Sequence, residues 1–76
     1  MDASEPHSNA IAAIFKARRY ALGISYSELS TNTGISERSL LRYLMAQREM
    51  QVGHFMIIAR ALGLEPASVL REITPA

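Results

Sequence analysis

The 76 residues suffice for one domain with a small core, and the absence of cysteine excludes a disulfide framework and a thiolate metal site. Apolar runs such as Phe55–Ala59 are far too short to span a bilayer, so a soluble, cytoplasmic chain is expected. The net charge is only +1, yet from Ser8 to Leu64 the bases Lys16, Arg18, Arg19, Arg38, Arg42, Arg48 and Arg60 meet only Glu28, Glu37 and Glu49, a local +4 that suits a phosphate footprint.

Residues 1–7 are expected as a flexible arm. Pro6 and the polar composition argue against regular structure there. Asp2 and Glu5 are unlike the basic start of a secretory signal. Ser8 or Asn9 can cap a first long helix from Ala10 to about Leu22, in which Ile11, Ile14, Phe15, Arg18 and Leu22 recur at helical spacing. Gly23 is placed to end it. Lys16, Arg18 and Arg19 are candidates for phosphate contact, weighed against a merely solvated or salt-bridged face.

Ser25 can cap a second helix, with Glu28 completing a capping box and Leu29 as the apolar anchor. Tyr26 and Ser27 open that helix and can donate hydroxyls to phosphate. Gly34 sits where the chain must turn, because glycine tolerates positive φ, and Ile35 points back to the core. Ser36 is a second N-cap, and Glu37 places a carboxylate in a first turn, where the helix dipole favours it.

The third helix is expected from Glu37 to about Met45. Leu40, Tyr43 and Leu44 fall at i, i+3, i+4 and form its buried face, which leaves Glu37, Arg38, Leu41 and Arg42 outside. Arg38 and Arg42, four apart, share a face, and each can bond guanine O6 and N7. Glu37 can accept from cytosine N4, and Leu41 can pack on a thymine methyl. Ser36 and Ser39 read as cap and phosphate contacts, and Arg48 as a phosphate contact at the far edge. The bland alternative is an exposed helix with an incidental leucine and two arginines.

A fourth helix, about Gln51 to Leu62, carries Val52, Phe55, Met56, Ile58, Ala59 and Leu62 as a broad apolar face. His54 reads as a packed histidine, since no second His, Cys or acid lies at metal spacing. Gly63 closes this helix, and Glu65-Pro66 restarts another that presents Ala67, Val69, Leu70 and Ile73. Residues 74–76 are expected as a frayed end.

Four fragments in order carry a resemblance: Arg19 with Leu22-Gly23-Ile24-Ser25, Leu29 with Gly34-Ile35-Ser36, Leu40 with Tyr43, and Ala59-Arg60-Ala61-Leu62-Gly63-Leu64-Glu65-Pro66. From about Ile11 to Leu70 the chain resembles the lambda-repressor-like (phage Cro/repressor, XRE-type) DNA-binding domain. The resemblance implies an all-α, compact bundle of five short helices with a helix-turn-helix, occupying residues 8–73. Three single positions and one turn depart from the family pattern. Tyr26 stands where a glutamine is common, and Ser30 where alanine is usual. Leu44 stands where an acid often pairs with the arginine matching Arg19, and Ala46-Gln47-Arg48 replaces a Gly-basic turn, which leaves the end of the third helix open.

The function these readings imply is a sequence-specific double-stranded DNA-binding transcription regulator, a phage-type or bacterial repressor. Glu37, Arg38, Leu41 and Arg42 would read bases; Tyr26, Ser27, Ser36, Ser39, Arg48, Lys16 and Arg19 would hold phosphates. One reading helix covers few base pairs, so a homodimer on half-sites about one helical turn apart is a candidate assembly. Met56, Ile57 and the Val69–Ile73 stretch are candidate dimer surfaces. The alternative is a protein-interaction module of the same fold, antitoxin-like or partner-binding, with weak DNA affinity. An enzyme is not expected, nor a cofactor, a metal, a small-molecule substrate or a membrane partner, because nothing assembles a catalytic constellation.

Overall fold

Serines and glycines set most of the helix limits, because each helix end leaves backbone donors or acceptors that need partners. The computed structural model describes the backbone of residues 5–73 and the side chains of residues 9–73. Five helices follow in order: α1 (Glu5–Leu22), α2 (Tyr26–Thr33), α3 (Glu37–Leu44), α4 (Val52–Ala61) and α5 (Pro66–Ile73). Among the described residues there is no strand. The radius of gyration is 11.6 Å, against roughly 11 Å expected for a folded chain of this length.

The N-terminal expectation needs correction. α1 begins at Glu5 and not at Ala10, so Ser8 and Asn9 lie inside it and part of the expected 1–7 arm is helical. Pro6 falls in the first turn, where its missing N–H has no intrahelical acceptor to lose. Residues 1–4 of that arm, and the expected frayed end at 74–76, lie outside the described residues.

One hydrophobic cluster joins all five helices. Phe15 of α1, Leu29 of α2, Leu40, Tyr43 and Leu44 of α3, Phe55, Ile58 and Ala59 of α4, and Val69 of α5 are buried together, with Ile35 and Leu62 from the connections. Phe15 and Phe55 stack within it with ring centroids 5.7 Å apart and planes 19° from parallel, a geometry that adds to simple burial. α2 packs on α3 and α4, α1 on α3 and α5, and α4 on α5. Four residues expected on apolar faces lie outside: Leu22, the last of α1, Val52, the first of α4, which is 74% exposed, and Ala67 and Leu70 of α5. The first two are terminal helix residues. No helix among the described residues is long and apolar enough to cross a membrane.

Candidate nucleic-acid interface

The unit α2–turn–α3 is fixed at each junction by its own side chains. Ser25, in extended conformation, accepts from Glu28 N–H at 3.0 Å, while the Glu28 carboxylate accepts from Ser25 N–H at 3.4 Å. Gly34 closes α2 with φ +76°, and its N–H donates to the Ser30 carbonyl at 2.8 Å. Thr33 then latches the turn: its hydroxyl donates to the Leu29 carbonyl at 2.7 Å and accepts from Ile35 N–H at 3.1 Å. Helical periodicity gives no sign of this role, although a threonine beside a turn glycine has the local backbone-bonding chemistry that signals it. Only three residues, Gly34, Ile35 and Ser36, separate the two helices.

Ser36 and Ser39 act as a pair. The Ser36 hydroxyl accepts from Ser39 N–H at 3.1 Å and donates to the Ser39 hydroxyl at 3.0 Å. Both remaining roles follow from valence: Ser36 is spent on the cap, while Ser39 keeps its own O–H as a donor. Downstream of that cap, α3 divides cleanly. Leu40, Tyr43 and Leu44 are buried, whereas Glu37, Arg38, Leu41 and Arg42 are exposed, Leu41 at 43%. A 43% exposed leucine between two exposed arginines gives this face one apolar contact point within a charged surround.

α3 ends without a glycine. Met45 is its C-cap, Ala46 N–H donates to the Tyr43 carbonyl at 3.1 Å, and Gln47 N–H donates to the Arg42 carbonyl at 2.8 Å. These are the two bonds of a Schellman motif, and they place Ala46 in the left-handed region at φ +56°. The helix therefore stops at Leu44, one residue before the expected limit.

Of the other basic residues, Lys16 and Arg48 lie beside α3. Lys16 on α1 brings its ammonium within 3.8 Å of the Met45 sulfur, so it borders the C-terminal end of α3. Arg48 is exposed, with its guanidinium 5.7 Å from the Tyr43 ring centroid. Tyr43 in turn hydrogen-bonds His54 Nδ1 at 2.7 Å, tying α3 to α4 and giving His54 the packed role expected of it. Ser27 is exposed in the first turn of α2.

Arg18 and Arg19 are instead occupied within the fold. Arg18 Nε donates to the Leu62 carbonyl at 2.9 Å, a cation closing the C-terminal end of α4 where the dipole favours it. Arg19 Nη1 donates to the Ile24 carbonyl at 2.8 Å, and its guanidinium lies 4.4 Å from the centroid of the half-buried Tyr26 ring. Such a stack is worth about 0.5–1 kcal/mol when exposed and about 2 when desolvated. Helical periodicity carries no signal for either role, because both acceptors are backbone carbonyls outside the helix.

The outer face of α3 presents two cations, one anion and one leucine to solvent, with Lys16, Ser39 and Arg48 beside it. No group of three or more His, Cys, Asp or Glu side chains among the described residues could hold a metal ion. No family model, curated protein or solved structure matches the chain.

Proposed function

We propose that the chain is a sequence-specific double-stranded DNA-binding transcription regulator, a lambda-repressor-like repressor of bacterial or phage type whose helix-turn-helix is α2–turn–α3. Its work is binding, not catalysis, and its setting is the bacterial cytoplasm. The observation that carries this reading is the split of α3. One face is locked into the core through Leu40, Tyr43 and Leu44, and the other leaves Glu37, Arg38, Leu41 and Arg42 open to solvent. In the major groove, Arg38 and Arg42 would each bond a guanine edge, Glu37 would accept from cytosine and Leu41 would meet a thymine methyl. Tyr26, Ser27, Ser39, Lys16 and Arg48 would set register on phosphates. Two copies would read half-sites about one helical turn apart.

The test is binding to random-sequence duplex DNA as salt is varied, for wild type and for Arg38→Ala/Arg42→Ala. Wild type should lose affinity with a log–log slope of roughly −0.9 per phosphate contacted. The double variant should lose affinity for selected sequences more than for random ones. Absence of salt-dependent binding at micromolar protein would reject the reading.

A second reading, a partner-binding module of the same fold, is favoured by a different observation. An apolar groove of ≈ 400 Å³ opens between α1, α4 and α5, walled by Ile11, Phe55, Met56, Pro66 and Leu70. Unchanged function after Arg42→Ala, with loss after Leu70→Asp, would select that reading.

A further inference from the structure

Arg19 and Tyr26 form a unit that joins the last turn of α1 to the first residue of α2. The Arg19 carbonyl accepts from Ile24 N–H at 3.2 Å, and the Arg19 side chain returns a bond to the Ile24 carbonyl at 2.8 Å. Both polar groups of that linker peptide residue are thus held by one arginine. The guanidinium carbon also lies over the Tyr26 ring, 4.4 Å from its centroid, and Tyr26 packs on the hydrophobic core. Arg19 Nε is the one buried side-chain polar atom without a hydrogen-bond partner among the described residues. The Tyr26 hydroxyl has no hydrogen-bond partner among them either, and Tyr26 is half-buried. The residue that the family resemblance would make acidic is the buried Leu44, so no carboxylate at that position claims the guanidinium.

Resting on the DNA-binding reading above, we propose that Arg19 is a positioning residue: it contacts no phosphate itself but clamps the Tyr26 ring so that the phenol donates to a DNA phosphate. A tyrosine at the first residue of a helix can swing about χ1 unless both ring faces are held. Here the core holds one side and Arg19 lies on the ring, which leaves the hydroxyl as the free end. Planarity is what qualifies arginine for this task. A lysine would keep the charge but would neither stack as a plane nor deliver a fork of donors. Arg19→Lys therefore separates the two roles, since a direct phosphate contact needs the charge and the clamp needs the plane.

The experiment is a double-mutant cycle on affinity for random duplex DNA, using the full chain, wild type, Arg19→Lys, Tyr26→Phe and the pair. Tyr26→Phe keeps the ring and its stack and removes only the hydroxyl. It should melt like wild type and bind DNA about 10-fold more weakly, the scale of a lost bond to a charged acceptor. Arg19→Lys should cost a similar factor alone and less than 2-fold in the Tyr26→Phe background, since the clamp then has no donor to place. Should Arg19→Lys melt below the assay temperature, Arg19→Gln takes its place under the same criterion. Equal losses in both backgrounds would overturn the proposal, because Arg19 would then act independently of the phenol. Wild-type affinity in Tyr26→Phe would overturn it too. If wild type itself fails to bind duplex DNA, the underlying reading fails and this one with it. If wild type binds and the cycle shows no coupling, only the clamp fails.

Discussion

The α2–α3 pair and the α4–α5 pair are built alike and finished differently. Each is two short helices joined by a brief connection and packed on the same core. In the first pair both helices start on serine caps with side-chain bonds, and the outward face is polar and charged. In the second pair α4 starts at Gln51 without a side-chain cap bond, and Val52, Ile57 and Leu70 face outward. The two pairs draw their stability from different sources. α2 and α3 are sharply specified by local hydrogen bonds, which frees their surface for charge. α4 and α5 lean on apolar burial, and some of that apolar surface remains uncovered.

The comparison can be broken most forcefully at the core. Leu29→Ala empties a fully buried position of α2 and should cost about 2–5 kcal/mol, read by denaturant or thermal unfolding. For a domain of this size that is a large share of total stability. Val69→Ala in α5 removes a smaller buried side chain and should cost less; a larger loss there would sharpen the contrast, because α5 would then depend on burial more than α2 does. Charge gives the next effect. Arg42→Ala should weaken binding to a selected duplex by about 1–3 kcal/mol and leave the melting temperature unchanged, because its side chain is exposed. Arg60→Ala, an exposed cation on α4, should change DNA affinity less than 2-fold. Equal effects of the two substitutions on DNA affinity would mean that only net charge matters.

Helix ends supply the smaller effects. Gly63 closes α4 at φ +72°, with the Arg18 guanidinium 3.4 Å from where a Cβ would stand, so Gly63→Ala should destabilise by about 1–2 kcal/mol. Gln51→Ser would give α4 the side-chain cap it lacks and should add about 0.5–1 kcal/mol in urea unfolding. No gain would mean that the α4 N–H groups are already well satisfied.

Much of the architecture was legible because it is written in local chemistry. The Ser25/Glu28 box, the Ser36 cap and the Gly34 turn require only residues a few positions apart, and each occurs where the residue types point. The buried triplet of α3 follows from helical spacing in the same way. What escaped was either non-local or a matter of position. Pro6 suits a helix's first turn as well as a loop, so residue type alone does not place the start of α1. Arg18 and Arg19 look alike in sequence, yet one closes α4 through the distant Leu62 carbonyl and the other lies over Tyr26 and bonds the Ile24 carbonyl just beyond the helix end. The end of α3 was obscured because an alanine occupies the left-handed position that a glycine would have announced.

That alanine has a stereochemical consequence. At φ +56° the Cβ of Ala46 sits where an L-residue is crowded by the following carbonyl and its mirror image is not. A chain of 76 residues is within reach of chemical synthesis, and D-alanine at this single position would relieve the crowding without adding backbone freedom to the unfolded chain. Glycine relieves the same crowding but does add that freedom, worth about 0.4–1 kcal/mol. The D-alanine chain should therefore be the more stable of the two by about that amount. Handedness, otherwise a uniform property of the chain, would be a tunable variable at one residue beside the exposed face of α3.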